Sequence, residues 1–130
     1  MKLLLDTHIW IWHLAGSERL PARLRQTIAG DKTEVWLSPI SVWETLVLAE
    51  KGKIQLEPDS LAWVKEALRR WPVKEAPLNI AVSIKSREVD LPHQDPVDRF
   101  IAATALIYGL RLVTLDDRLR SASWLPTVEP

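Results

Sequence analysis

The chain has 130 residues, of which 47% are hydrophobic and 26% charged, the size and composition of one globular domain rather than a disordered segment. It contains no cysteine, which excludes disulfides and zinc–thiolate sites and fits a reducing compartment. Seventeen basic residues balance seventeen acidic ones, so any attraction for nucleic acid must come from the local placement of charges.

Apolar runs, together with residues that start and stop helices, predict the elements in chain order. The first are a strand over Lys2–Leu5, helices over Thr7–Ala15 and Pro21–Ala29, a strand over Glu34–Leu37 and a helix from Ser38-Pro39 to about Glu50. The rest are a helix over Leu61–Trp71, a strand over Val73–Ala76, helices over Leu78–Glu88 and Val97–Tyr108, a strand over Arg111–Thr114, a helical turn over Asp116–Ser121 and a final strand at Thr127-Val128.

The alternation of these strands and helices predicts the fold class. Strands separated by helical segments of about ten or more residues are typical of a parallel sheet with helices on both faces. The sequence has no internal repeat and no linker long enough to divide it. We therefore expect a single α/β domain over residues 1–130.

The N-terminal segment is apolar over Leu3–Leu5, but Asp6 and His8 interrupt it too early for the core of a signal peptide. No apolar stretch approaches the roughly 20 residues that a membrane-spanning helix needs. We expect a cytoplasmic protein that does not cross a membrane.

Four acidic residues from distant parts of the chain are predicted to meet at one edge of the sheet. Ligands of open parallel sheets bind beyond the carboxyl ends of the strands, and Asp6 and Asp116 lie just past predicted strands. Glu44 lies in the second turn of the helix after the second strand, at the margin of an apolar stripe where a solvated acid is unusual. Asp98 lies in the first turn of the most apolar helix.

Four carboxylates in one place predict a metal site. Like charges about 4 Å apart repel by several kcal/mol, and a divalent cation turns that repulsion into binding. Oxygen ligands without cysteine suit a hard ion, Mg²⁺ or Mn²⁺. Such an ion lowers the pKa of bound water and neutralises charge that develops on a phosphoryl group. The predicted chemistry is the hydrolysis of a phosphodiester.

Helix capping is the alternative explanation for several of these acids. Asp6 also suits the N-cap of the helix that follows it. Asp95 suits an N-cap before Pro96, and Asp98 then occupies the position that the helix dipole favours for an acid. Of the adjacent Asp116 and Asp117, one is expected to be a ligand and the other a surface residue, and strand-end geometry favours Asp116.

Other polar residues near the acids each have two interpretations. His93 either touches metal or substrate or is a structural residue of a proline-flanked loop. The hydroxyls of Thr7 and Thr114 either orient water or carboxylates or belong to ordinary helix-start and strand residues. Arg99 and Arg118 are candidates to hold a phosphate backbone, although pairing on a helix surface is the default for Arg99.

Seven tryptophans stand beside one phenylalanine and one tyrosine, and most are expected to be core or interface anchors. Trp10 and Trp12 are two residues apart on the first helix and cannot share one face. Either one of them is exposed, which suits a protein partner, or both pack inside.

Four segments of this sequence match a known family, in the family's order. They are Leu4-Leu5-Asp6-Thr7-His8, Ser38-Pro39-Ile40-Ser41-Val42-Trp43-Glu44, His93-Gln94-Asp95-Pro96-Val97-Asp98-Arg99 with its continuation through Ile101–Ala105, and Val113-Thr114-Leu115-Asp116. On these segments the chain resembles the PIN-domain family, and specifically the VapC-type toxins of bacterial and archaeal toxin–antitoxin pairs. Together they cover nearly the whole chain.

The resemblance implies a three-layer α/β/α fold with a central parallel sheet and a Mg²⁺- or Mn²⁺-dependent endoribonuclease activity. It also implies a cognate antitoxin as partner and a homodimer. The family's acidic positions fall on Asp6, Glu44, Asp98 and Asp116, and none is missing. Asp95 and Asp117 fit the motifs as residues that support the metal ligands from behind, and we place Thr7, His93, Arg99 and Thr114 in the same supporting group.

Two other functions remain open from the residues alone. A phosphatase or phosphotransferase could use Asp6 as a nucleophile, although that chemistry usually needs a second acid two residues later, where His8 stands. A non-catalytic module could use the acids only to bind a metal or a basic partner.

Overall fold

The computed structural model describes residues 1–130. Its strands are β1 (Lys2–Leu5), β2 (Glu34–Leu37), β3 (Lys74–Glu75) and β4 (Arg111–Val113). Its helices are α1 (Thr7–Ala15), α2 (Ala22–Ile28), α3 (Pro39–Glu50), α4 (Ser60–Arg70), α5 (Ile80–Glu88), α6 (Pro96–Tyr108) and α7 (Asp117–Arg120). The predicted elements are confirmed to within two residues at each end, except the final strand.

The four strands form one sheet in the order β3-β2-β1-β4, and every pairing is parallel. The final strand expected at Thr127-Val128 is reduced to one parallel bridge between Leu112 and Thr127. The backbone N–H of Val128 donates to the carbonyl of Leu112 at 3.0 Å, so the C-terminal segment covers only the edge of β4. The parallel sheet predicted from the alternation of elements is confirmed.

Helices cover the sheet on both faces, and two apolar cores result. Leu3 and Leu5 of β1 pack into one core with Trp10 of α1, whereas Leu4 packs into the other with Ile101 of α6. The alternation follows from the two-residue period of a strand, which directs successive side chains to opposite faces. The three-layer α/β/α arrangement is confirmed. None of the helices is long and apolar enough to cross a membrane.

Four helices begin at the carboxyl edge of the sheet, each with a polar side chain as its N-cap. The caps are Asp6 for α1, Ser38 for α3, Asp95 for α6 and Asp116 for α7. Each accepts a backbone N–H of the first turn, which would otherwise lack a partner. The edge therefore collects oxygen-bearing side chains because helices start there.

Arg99 has a structural role and does not bind phosphate, so its assignment to the RNA backbone was wrong. Its side chain is buried, at 5% exposure, and donates to three backbone carbonyls. Nε bonds the Ser86 carbonyl at 2.8 Å, Nη2 bonds that of Val89 at 2.8 Å and Nη1 bonds that of His93 at 3.2 Å. The guanidinium thus ties the end of α5 and the following loop to α6, and it supports the acid site only by holding the segment that bears His93.

We expect Arg99→Met to lower the free energy of unfolding by about 3 kcal/mol, because it leaves buried carbonyls without donors while keeping an apolar stem of similar length. Urea denaturation measures the change. The matched control is Arg23→Met on the exposed surface of α2, which should alter stability by less than about 0.5 kcal/mol. Equal stability of the two variants would contradict the structural role.

Candidate active site

A cleft of about 420 Å³ opens at the carboxyl edge of the sheet. Five carboxylates line it, those of Asp6, Glu44, Asp95, Asp98 and Asp116. The other lining residues are His8, Ile9, Trp12, Arg19, Leu115 and Arg118. The structure therefore brings together all four acids that the sequence singles out, and adds Asp95 to them.

A second groove, of about 470 Å³, lies away from this edge and is slightly larger. It is lined by Trp63 and Trp71 among others, and its only acids are Glu57 and Glu66. Glu66 pairs with Arg69 of its own helix at 2.6 Å and is therefore already neutralised. The presence of five carboxylates in one cleft, rather than cavity size, marks the acidic cleft as the candidate for chemistry.

Asp6 is fixed by two hydrogen bonds. Its Oδ1 accepts the backbone N–H of Thr7 at 2.8 Å, and its Oδ2 accepts the hydroxyl of Thr114 at 2.7 Å. The same hydroxyl oxygen accepts the backbone N–H of Asp116 at 3.1 Å. Capping and site placement therefore coexist at Asp6, and Thr114 links the two strand-end acids.

Thr7 and Ser41 connect the helix that Asp6 caps to the helix that carries Glu44. The Thr7 hydroxyl donates to the Ser41 hydroxyl oxygen at 3.1 Å, and both residues are fully buried. Because Ser41 and Glu44 lie one turn apart on α3, this contact ties the start of α1 to the turn of α3 next to Glu44. Thr7 is therefore a positioning residue of the cleft.

Burial raises the pKa of both Asp6 and Glu44. For Asp6, the hydrogen bonds from Thr114 and Thr7 oppose this rise in pKa. For Glu44, the neighbouring Thr7 hydroxyl opposes it, and the charges of Asp6 and Asp95 add to it. The ionised form of these carboxylates is thus disfavoured here, and a bound cation would stabilise it.

Asp98 is the most perturbed acid of the cleft. It is 8% exposed, and burial raises its pKa to about 6 against the opposing hydrogen bond from His93, with further increases from the charges of Asp95, Asp6 and Asp116. His93 Nε2 lies 2.9 Å from Asp98 Oδ2 and donates to it when the carboxylate is ionised. His93 therefore acts on the cleft from behind Asp98 and does not line it.

A guanidinium group joins two of the acids. Nη2 of Arg118 lies 3.0 Å from Oδ2 of Asp116 and 3.3 Å from Oδ2 of Asp98. The hydrogen bond from Arg118 holds the pKa of Asp116 below its ordinary value. No three acidic or histidine side chains of the chain converge on a common point in this arrangement. The positive charge between Asp98 and Asp116 is that of Arg118.

The residues present fit a hard divalent cation. The donor set is all oxygen, burial raises the pKa of three of its acids, and one guanidinium nitrogen of Arg118 contacts both Asp98 and Asp116. These are the properties that Mg²⁺ and Mn²⁺ sites share. Asp98 and Asp116 are the residues that would hold such an ion, and Arg118 would then lose its two carboxylate partners.

The two acids with uncertain roles separate clearly. Asp95 is exposed and lines the cleft, and its Oδ1 accepts the backbone N–H groups of Val97 at 3.0 Å and Asp98 at 3.4 Å. Asp117 lies outside the cleft on the exposed surface of α7. Asp116 rather than Asp117 therefore faces the site.

Sequence reasoning missed His8 and Arg19 as cleft residues and left Trp12 unassigned. Trp10 is fully buried, whereas Trp12 is half-buried and lines the cleft. His8 and Trp12 lie four residues apart on α1, so the same face of that helix carries both. This spacing is the signal that could have found them. Nothing in the sequence near Arg19 indicates that its loop borders the cleft.

Comparison with known proteins agrees with this architecture. A sequence model of the PIN domain matches residues 3–125. Ribonuclease VapC22 of Mycobacterium tuberculosis is 37% identical over 122 residues, which cover 92% of this chain and 90% of the relative.

Two solved structures share the fold at lower identity. VapBC2 from Rickettsia felis, bound to a DNA fragment from its promoter, superimposes with a TM-score of 0.71 at 15% identity, with 98% of both chains covered. Mycobacterium tuberculosis VapC20, described as a sarcin–ricin loop cleaving toxin, has a TM-score of 0.68 at 21% identity and covers 98% of this chain and 99% of its own. With the match of the family model from Leu3 to Leu125, this chain belongs to the PIN domain family and resembles its VapC-type members.

Proposed function

We propose that residues 1–130 form a single PIN domain that acts as a Mg²⁺- or Mn²⁺-dependent endoribonuclease, the toxin of a toxin–antitoxin pair. The observation that carries the proposal is the cleft that five carboxylates line, with Arg118 contacting both Asp98 and Asp116. The 37% identity to a relative named ribonuclease supports RNA as the substrate.

The acids of the cleft have two different roles in this proposal. Asp6, Asp98 and Asp116 hold one or two metal ions directly or through water, and Glu44 completes the cluster or positions the attacking water. A bound divalent ion supplies a water of lowered pKa and neutralises the charge that develops on the phosphate. Burial raises the pKa of Glu44, which would suit this carboxylate to accept a proton from the attacking water.

Arg118 changes partners in this mechanism. Its side chain is 52% exposed and bonded to the two carboxylates that we assign to the metal. With Asp98 and Asp116 engaged in holding a metal ion, the Arg118 guanidinium would be free to bind a phosphate of the RNA in the same cleft. Arg118 would thus balance the acids when no metal is bound and contact the RNA phosphate when metal is bound.

A protein partner is the second half of the proposal. Among the related folds, the R. felis structure is a VapBC complex. On α5 of this chain, Ile80 and Ile84 are 79% and 58% exposed, an apolar surface of the kind that protein partners cover. We propose a cytoplasmic homodimer that a cognate antitoxin inhibits.

Asp6→Asn should reduce cleavage of a mixed RNA pool by about 100-fold or more, because it removes a charge that holds the metal. Gel analysis with Mg²⁺, Mn²⁺ or chelator measures the loss. The matched control is Asp117→Asn, which removes an exposed acid outside the cleft and should leave cleavage unchanged.

Two results would contradict the nuclease assignment. If pure wild-type protein binds RNA but cleaves none with any divalent ion, the chain is a binding module. If Asp6→Asn cleaves as fast as Asp117→Asn, the activity does not come from this cleft.

Mn²⁺ binding should weaken as the pH falls through about 6, where Asp98 gains a proton. The pKa of Asp98 is raised in the folded protein, so its carboxyl is mostly protonated below that pH. Each Mn²⁺ that binds there must then displace a proton. The loss approaches about tenfold per pH unit below that point when one proton is displaced. Titration calorimetry between about pH 5 and about pH 7.5 measures it. An affinity that stays constant over this range would refute the role of Asp98.

Expression of the chain alone in a bacterial host should arrest growth, and co-expression of the neighbouring reading frame should restore it. The physical reason is that a tight complex covers the cleft or displaces its metal. Growth curves and co-purification measure the two effects, with Asp6→Asn as the non-toxic control. Growth arrest by Asp6→Asn equal to that by the wild type would show that toxicity is unrelated to cleavage.

A further inference from the structure

One wall of the acidic cleft is not acidic. It consists of His8 and Trp12 from α1 and Arg19 from the loop between α1 and α2. None of these three side chains takes part in an ion pair of the chain. They face the same space as the metal-binding acids and are free to meet a ligand there.

The two rings of this wall form a tilted pair. Their centroids are 5.7 Å apart and their planes meet at 50°, so neither ring lies flat against the other. Trp12 also packs against the apolar core between α1 and the sheet, which holds its ring in place. His8 is exposed. The fixed indole of Trp12 and the exposed imidazole of His8 therefore leave aromatic faces on which a third planar group can stack.

The loop that carries Arg19 is anchored on both sides. Nη2 of Arg25 donates to the carbonyl of Ser17 at 2.8 Å and to that of Leu20 at 3.3 Å. The backbone N–H of Arg19 donates to the Ser17 hydroxyl at 3.1 Å. The backbone is thus fixed, and the guanidinium remains available for an anion next to the rings.

We propose that His8 and Trp12 form a stacking subsite for an unpaired base of the RNA beside the cleaved phosphodiester, and that Arg19 binds the phosphate of that nucleotide. This inference rests on the proposed function and adds the class of substrate. A base inside a duplex is stacked on its neighbours and cannot reach these rings, whereas a base in a loop or single strand can. His8, Trp12 and Arg19 would therefore bind a nucleotide only where it is unpaired.

The test is equilibrium binding of a short unstructured RNA, labelled at one end, to the Asp6→Asn chain in Mg²⁺. Added to that background, Trp12→Leu should weaken binding by about 5- to 100-fold, since stacking of one base contributes about 1–3 kcal/mol. Trp12→Phe keeps an aromatic face and should retain most of the affinity. Arg19→Gln should weaken RNA binding and reduce the slope of log affinity against log salt concentration by about one.

Trp43→Leu is the matched control, because Trp43 is 54% exposed on α3 but does not line the cleft. It should bind the RNA as the background does. The same RNA annealed to its complement should bind more weakly than the single strand. Thermal unfolding of each variant shows whether it is folded. If Trp12→Leu is not folded, the comparison of Trp12→Phe with Arg19→Gln still tests the subsite.

Several outcomes would overturn the subsite. The first is an RNA affinity of Trp12→Leu equal to that of the background, and the second is an equal loss of RNA affinity in Trp12→Phe and Trp12→Leu. The third is duplex binding as tight as single-strand binding. The fourth is that the Trp12 variants lose antitoxin binding but keep RNA binding. In each case wild-type cleavage of RNA would leave the nuclease assignment standing. If the wild type cleaves no RNA and the background binds none, the proposed function fails and the subsite with it.

Discussion

The parallel pairing of β1 with β4 is the constraint on which the site depends. The backbone N–H of Asp6 donates to the carbonyl of Val113 at 3.0 Å, so both strands end side by side. Immediately beyond that bond, the Thr114 hydroxyl joins Asp6 to the backbone of Asp116. Two acids that are far apart in the chain are therefore held together by the same ladder that builds the sheet. The helices that start at this edge add Glu44, Asp95 and Asp98.

Gathering these acids makes the cleft electrostatically unfavourable without a cation, and the fold offsets this cost with its own charges. Arg118 reaches Asp98 and Asp116, and His93 supports Asp98 from the opposite side. Burial still raises the pKa values of Asp6, Glu44 and Asp98, and neighbouring carboxylates add to the increase. This excess of negative charge is the physical basis of the proposed metal site.

The cleft is also asymmetric. Its acidic wall comes from strand ends and helix N-caps, whereas His8, Trp12 and Arg19 come from one face of α1 and the loop that follows it. The proposed metal site and the proposed base-stacking subsite thus lie mainly on different elements. Asp6 caps the helix that carries His8 and Trp12, so this acid lies within about two turns of helix of both rings.

Local patterns in the sequence were sufficient for the elements, the parallel sheet and the acids, because strand ends and helix caps are set by neighbouring residues. Asp6, Asp95 and Asp116 were found for that reason. Other features were decided only by the tertiary structure, since they join residues remote in sequence. The three carbonyls around Arg99, the bridge from Arg118 to Asp98 and the burial of Trp10 rather than Trp12 are such cases. Arg19 reaches the cleft only because packing of α1 and α2 brings its loop there, and no local pattern encodes that approach.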